Sequence, residues 1–318
     1  MKKILIIKLG ALGDVVNAEG AIRDIKNHHP YDEITLLTSP LFAKLLKAHP
    51  CIDRIEVDRR LPRWNLKYLY QLIKKLRDYR YDMVYDLQNN RRTNLYNMLM
   101  QPIKWCGKAR FATIRYQQDN ALHDTKRNTL EEQLERASLQ TKFTCHPDWL
   151  WCQEPVDDIL HRHKIHQKFI LLLPGSSQKH PDKRWTGFFD LAKKLLACGY
   201  VVVYAPGPDE RELIDSLPGI CLLNHGAPLT IPQVIGLARN AQFVIGNDSG
   251  PTHLLARCQT KGLAIFQKEK YVNSSGIKDY YDVLCANPIS QVSVDAVFQI
   301  VQKHTSVQSK KSECPDQV

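Results

Sequence analysis

The sequence predicts an α/β protein in which two successive β/α series form two domains facing a cleft. Short continuous apolar runs, the mark of strands buried on both faces, alternate with helical patterns along nearly the whole chain. The rhythm breaks in the polar stretch 153–168, where Gln153-Glu154-Pro155 and His161-Arg162-His163-Lys164 interrupt it. Late in the chain, Phe243-Val244-Ile245 leads through Gly246-Asn247-Asp248-Ser249-Gly250 into Pro251 and a short helix. Such a strand–loop–helix presents backbone N–H groups at the carboxyl edge of a sheet, where ligands bind.

In the first series, residues 3–9 read as a strand and Gly10-Ala11-Leu12-Gly13-Asp14 as a glycine-bearing loop before a helix over 15–27. Strands follow at 34–38, 55–57 and 81–86, with helices at 41–48, 64–79 and 94–100. Residues 104–107 read as short strand or loop, 110–120 as a polar stretch, and 128–139 as an amphipathic helix. The second series gives strands at 169–173, 200–204, 220–223, 243–245 and a final one at 263–266. Its helices fall at 186–198, 209–217, 231–239, 252–257 and about 293–304, before a polar tail expected to be disordered. The domains are thus read as 1–160 and 161–305, with 306–318 as the tail.

Composition narrows the class. No stretch approaches the roughly 18 apolar residues of a membrane span. Lys8 interrupts the N-terminal apolar run, which favours a core strand over a signal peptide. Nine cysteines without CxxC pairs argue for reduced thiols in a cytoplasmic protein, and no metal site is expected. The net charge of +11 is uneven: residues 1–165 hold 28 Lys/Arg against 20 Asp/Glu, the remainder 16 against 13. Arg59, Arg60, Arg63, Arg91 and Arg92 belong to that basic half, which suits an anionic partner such as a phosphorylated lipid or anionic membrane surface. An RNA-binding signature of interleaved aromatic and basic residues is absent, so nucleic acid is not expected.

Four loops carry candidate chemistry. Asp248, Ser249 and His253 sit in the 243–256 unit, where they can bond a phosphate or a sugar, or cap the helix. Pro174-Gly175-Ser176-Ser177, with Lys183-Arg184-Trp185 close behind, offers the hydroxyl donors and compact cation that a diphosphate needs. It lacks the spacing of a Walker loop. Glu210, in Pro206-Gly207-Pro208-Asp209-Glu210, could accept ribose hydroxyls or simply favour a helix start. Asp14 is the carboxylate of the first glycine loop, and sugar transfer to an alcohol needs a base for the incoming hydroxyl. Facing Lys183 and Gly250 across a cleft, it would supply one.

Taken together and in order over about residues 3–300, these motifs resemble the lipopolysaccharide heptosyltransferases of glycosyltransferase family 9. The resemblance rests on Ile6-Ile7-Lys8 with Ala11-Leu12-Gly13-Asp14-Val15, on Tyr81-Asp82-Met83-Val84-Tyr85-Asp86-Leu87-Gln88, and on the three later loops. It implies the GT-B fold, two Rossmann-like domains facing a central cleft, and an inverting, metal-independent transfer without a cofactor. The implied donor is ADP-heptose; the acceptor is the Kdo/heptose inner core of lipid A, met at the cytoplasmic face of the inner membrane. By motif position, Asp14 becomes the base and Lys183 the group neutralising the diphosphate. Ser176, Ser177, Ser249, Gly250 and His253 would hold phosphates, Asp248 the donor sugar and Glu210 the ribose. Gly13 and the five arginines named above are left for the acceptor. Other nucleotide sugars, a GT-B epimerase and a non-catalytic nucleotide-sugar-binding protein stay open.

Overall fold

The computed structural model describes residues 1–305 other than 103, 108, 116–146, 177–179, 209, 214 and 216. The chain divides into two units, Met1–Glu154 with Lys270–Gly276, and Pro155–Glu269 with Ile277–Val318. The amphipathic helix expected over 128–139 and the polar tail lie outside the described residues.

The first unit is built on strands β1 (Lys3–Ile7), β2 (Glu33–Thr38), β3 (Arg54–Val57), β4 (Met83–Asp86), β5 (Trp105–Gly107) and β6 (Ile114–Arg115). They form one parallel sheet in the order β3-β2-β1-β4-β5-β6. Ile4, Leu5, Ile6 and Ile7 are all fully buried, which is why the strand reads as a continuous apolar run rather than an alternation. The helices are α1 (Leu12–His28), α2 (Pro40–Leu46), α3 (Leu66–Asp78) and α4 (Arg91–Met100). Leu69, Leu72, Ile73 and Leu76 of α3 pack with Tyr96 and Met100 of α4 on Leu5, Ile7 and Val84.

Two helices begin three residues before their apolar periodicity does, because caps start them. At α1 the Asp14 carboxylate accepts the Ala11 N–H (3.1 Å), so Asp14 lies in the first helical turn rather than in a loop. At α4 Asn90 Oδ1 accepts the N–H groups of Arg92 and Thr93, and Thr93 Oγ1 accepts that of Asn90.

The second unit repeats the winding. Strands β7 (Ile170–Leu173), β8 (Val202–Tyr204), β9 (Ile220–Cys221), β10 (Phe243–Asn247), β11 (Gly262–Phe266) and β12 (Asp282–Cys285) pair in parallel as β12-β11-β10-β7-β8-β9. Numbered within each unit, both sheets run 3-2-1-4-5-6, with the order reversing between β1 and β4 and between β7 and β10. Helices Phe188–Ala197 and Val294–His304 cover one face through Leu191, Leu195, Val297 and Val301.

Three sequence expectations need correcting here. The strand at 263–266 is not the last: β12 follows, a half-exposed edge strand of only four residues whose short apolar run Val283-Leu284-Cys285 sequence reading missed. The helix Glu269–Ser275 was not expected, its sequence being mostly polar. Of the helix expected over 209–217, the described residues show a single 3-10 turn, Arg211–Leu213. No helix among the described residues is long and apolar enough to cross a membrane.

Candidate active site

The Asp14 turn and the Gln88 loop leave the carboxyl ends of β1 and β4, and the 174–176 and 247–253 loops those of β7 and β10, the strands that flank each reversal of order. A topological switch point opens a crevice there. The Glu210 loop leaves neighbouring β8, and the Asp58 turn leaves β3.

In the first unit, the chain leaving β1 is tied to the chain leaving β4. The Leu9 N–H donates to Gln88 Oε1 (2.8 Å), and Lys8 Nζ donates to the Leu87 carbonyl (3.1 Å). Lys8 is buried, and burial pushes its pKa below the ordinary lysine value while Asp14 and Asp86 act in the other direction. Asp86 is fully buried; desolvation raises its carboxyl to about 6 against the N–H groups of Asn89 and Gln88 that it accepts. Asp14 itself is exposed, its carboxylate oriented by Ala11, and Gly13 beside it is partly exposed.

The arginines at 59–63 and 91–92 have an organiser that sequence reading missed. Asp58, fully buried, accepts Arg92 Nε and Nη2 (both 2.8 Å), the Tyr96 hydroxyl (2.6 Å), the Tyr68 hydroxyl (2.9 Å) and the Arg60 N–H (2.7 Å). Arg92 Nη1 donates to the Leu61 carbonyl (2.7 Å). Burial would raise the Asp58 carboxyl, but Arg92, Tyr96 and the Arg60 N–H together hold it below the usual carboxylate range. Arg92 is therefore engaged inside the fold, where it fixes the 58–61 turn. Arg59, Arg60, Arg63 and Arg91 stay exposed. Replacing Arg92 by Ala should strand a buried carboxylate and lower unfolding stability by about 3–5 kcal/mol. Arg91→Ala should change it by no more than about 0.5 kcal/mol. Urea denaturation of both variants checks the contrast.

In the second unit Asn247, fully buried at the end of β10, joins three loops. Its Nδ2 donates to the Pro174 and Gly175 carbonyls (2.7 and 3.3 Å), and its Oδ1 accepts the Trp185 N–H (3.0 Å). This places Lys183 against Asp248: Nζ to Oδ2 is 2.6 Å. The other carboxylate oxygen, Oδ1, meets His253 Nε2 at 2.9 Å. Burial would raise the Asp248 carboxyl; the hydrogen bonds from His253 and Lys183 outweigh it and hold the carboxyl below its ordinary value. The remaining ring nitrogen of His253, Nδ1, is buried without a hydrogen-bond partner among the described residues.

Two glycines lie under close approaches, one of a flexible side chain and one of a helix. A Cβ on Gly175 would fall 1.8 Å from Glu210 Oε1, so the Glu210 carboxylate lies directly over the Gly175-Ser176 loop. Its Oε2 also accepts the Gly207 N–H (2.8 Å). A Cβ on Gly246 would fall 2.2 Å from Thr252 Oγ1, so only glycine lets the helix Gly250–Ala256 sit this close to β10. Ser249 Oγ pairs with Thr252 Oγ1 (3.1 Å), and Arg184 Nη2 donates to the Ser176 carbonyl (3.2 Å).

Ser176, Lys183, Glu210, Asp248, Ser249, Gly250 and His253 thus gather at one sheet edge, while Ser177 lies outside the described residues. The arrangement offers a compact cation, hydroxyls and a carboxylate to one small polar ligand. The residues missed by sequence reading were the organisers. Asn247 and Gln88 stand inside quoted motifs, but nothing in a single chain marks them as hubs.

Comparison with known proteins adds the following. A family model described as Glycosyltransferase family 9 (heptosyltransferase) matches residues 69–297. The lipopolysaccharide core heptosyltransferase OpsX of Haemophilus influenzae is 22% identical over 284 residues, 83% of this chain and 79% of that protein. Among solved structures, E. coli ADP-heptose lipopolysaccharide heptosyltransferase II superposes with a TM-score of 0.76 at 17% identity, covering 96% of this chain and 98% of that one. E. coli heptosyltransferase WaaC with ADP gives 0.70 at 17% identity, covering 95% and 100%. The fold expected from the sequence, α/β with two Rossmann-like units, is the one these structures share.

Proposed function

The chain belongs to glycosyltransferase family 9, and from that footing we propose that it moves a heptose from ADP-heptose to the Kdo/heptose inner core of lipopolysaccharide. The observation that carries the reading is the Lys183–Asp248–His253 cluster with Glu210 and Ser176 at the same switch point. The relatives named for lipopolysaccharide core and for ADP-heptose support the choice of substrates.

On this reading Lys183 transfers its ammonium from Asp248 to the diphosphate, and Ser176, Ser177, Ser249, Gly250 and His253 hold the phosphate oxygens. Glu210 takes the ribose hydroxyls, and the freed Asp248 carboxylate takes a sugar hydroxyl. Asp14 removes the proton of the acceptor hydroxyl, whose oxygen attacks the anomeric carbon as the bond to the β-phosphate oxygen breaks. ADP leaves with the electron pair, and the configuration inverts. Lys183 neutralises the leaving charge, so neither a metal nor a cofactor is called for. Arg59, Arg60, Arg63 and Arg91, together with Gly13, take the phosphates and carboxylates of an acceptor carried on the cytoplasmic face of an anionic inner membrane.

Calorimetric titration with ADP, UDP and GDP, each with and without EDTA, tests the donor. Binding confined to ADP and indifferent to EDTA is the expected result. Preference for UDP would overturn ADP-heptose and redirect the search to another nucleotide sugar. Transfer of heptose onto a purified inner-core acceptor then separates a transferase from a binding protein.

A further inference from the structure

Outside the loops described above, the outer face of α3 combines two features that seldom coincide on a solvent-facing surface. It is apolar where it should be wet: Trp64 is 83% exposed, Leu66 70% and Tyr70 67%. Leu66, Tyr70 and Lys74 recur every fourth residue and so share one stripe, which runs alongside the buried Leu69 and Ile73. A groove of about 590 Å³ runs along that stripe and continues onto Leu99 of α4. The same face is strongly cationic. Residues 59–80 contain eight Lys/Arg and a single acid, Asp78. Lys75 pairs with Glu56 (2.5 Å), while Arg63, Lys67, Lys74, Arg77 and Arg80 are exposed.

We propose that this face, from Trp64 through Arg77, docks on an anionic phospholipid bilayer, with Trp64, Leu66 and Tyr70 entering the headgroup region and the flanking cations engaging lipid phosphates. Amphipathic aromatic side chains partition to the bilayer interface, and long Lys and Arg side chains reach past apolar contacts to keep their charge at headgroup level. Charge complementarity selects the occupant. A second copy would set these cations against their own kind, and a neutral surface would leave them unanswered. The turn bearing Arg59 and Arg60 is anchored to α3 itself, since Tyr68 OH accepts the Arg59 N–H (2.6 Å) and donates to Asp58. Docking α3 therefore brings the acceptor-facing arginines to the membrane. The proposal takes its purpose from the lipid-borne acceptor proposed above, but its test does not need that acceptor.

The full chain would be sedimented with vesicles of phosphatidylcholine alone and of phosphatidylcholine mixed with phosphatidylglycerol. Binding to the mixed vesicles alone is expected. Trp64→Ala with Tyr70→Ser should weaken it about tenfold. Lys67→Glu, Lys74→Glu and Arg77→Glu combined should weaken it at least about a hundredfold. All five positions are exposed, so melting temperature and ADP affinity should match the parent. Equal binding to neutral vesicles, or undiminished binding by both variants, overturns the proposal. So does a change of oligomeric state in solution caused by the same substitutions, which would make a second copy the occupant. A protein that binds ADP but no vesicles refutes the docking face alone; one that binds vesicles but no ADP refutes the donor reading alone.

Discussion

Asp14→Asn should lower kcat by about 10²- to 10⁴-fold while leaving ADP affinity unchanged. The substitution isolates the proton-accepting role because an amide keeps the oxygen that accepts the Ala11 N–H, the contact that starts α1. Helix geometry is retained and only basicity is lost. Asp14→Ala removes both, and should add a small stability loss of about 0.5–2 kcal/mol to the same kinetic defect. Steady-state kinetics with a purified acceptor, beside ADP titration and thermal melts, distinguish the cases. An Asp14→Asn enzyme that turns over normally would remove Asp14 from the role of base. One that loses ADP affinity in proportion to rate would make the residue a donor contact.

Lys183→Ala should weaken ADP binding by about 10- to 100-fold and lower kcat by a similar or larger factor. The ammonium is held 2.6 Å from Asp248, and that carboxylate also takes His253. The cation therefore waits within the site beside the groups proposed to hold the donor, and a diphosphate with more charge than one carboxylate can draw it away. Removing it costs the ground-state contact and the stabilisation of the leaving group together, so binding and rate should fall jointly. That joint fall contrasts with the rate-only defect expected at Asp14. If Lys183→Ala binds ADP like the parent, Lys183 stays on Asp248 throughout and the diphosphate is held by other donors.

Much of the architecture could be read from the chain because parallel strands buried on both faces leave a plain signal. Ile4 to Ile7 and Ile170 to Leu173 are fully apolar runs, and each became a central strand. What could not be read were features whose apolar trace is short or missing: the four-residue, half-exposed edge strand Asp282–Cys285, the polar helix Glu269–Ser275, and helix starts set by caps. The site divided in the same way. The Gly246–Gly250 loop showed itself through turn residues, whereas Asp58 did not, because Arg92 and Tyr96 reach it from 34 and 38 residues away. Arg92 shows the limit of counting charges. It stands beside Arg91 in the sequence, yet one is engaged in the fold and the other faces water.

Gln88 and Asn247 hold the loops of their units through neutral amides. Uncharged hydrogen bonds are almost indifferent to ionic strength. The pull of an anionic surface on exposed cations, by contrast, fades beyond about 8 Å in physiological salt and sooner in stronger salt. On the docking proposed for α3, raising ionic strength should strip the protein from anionic vesicles while the loops keep their shape, so that docking and loop geometry can be adjusted independently.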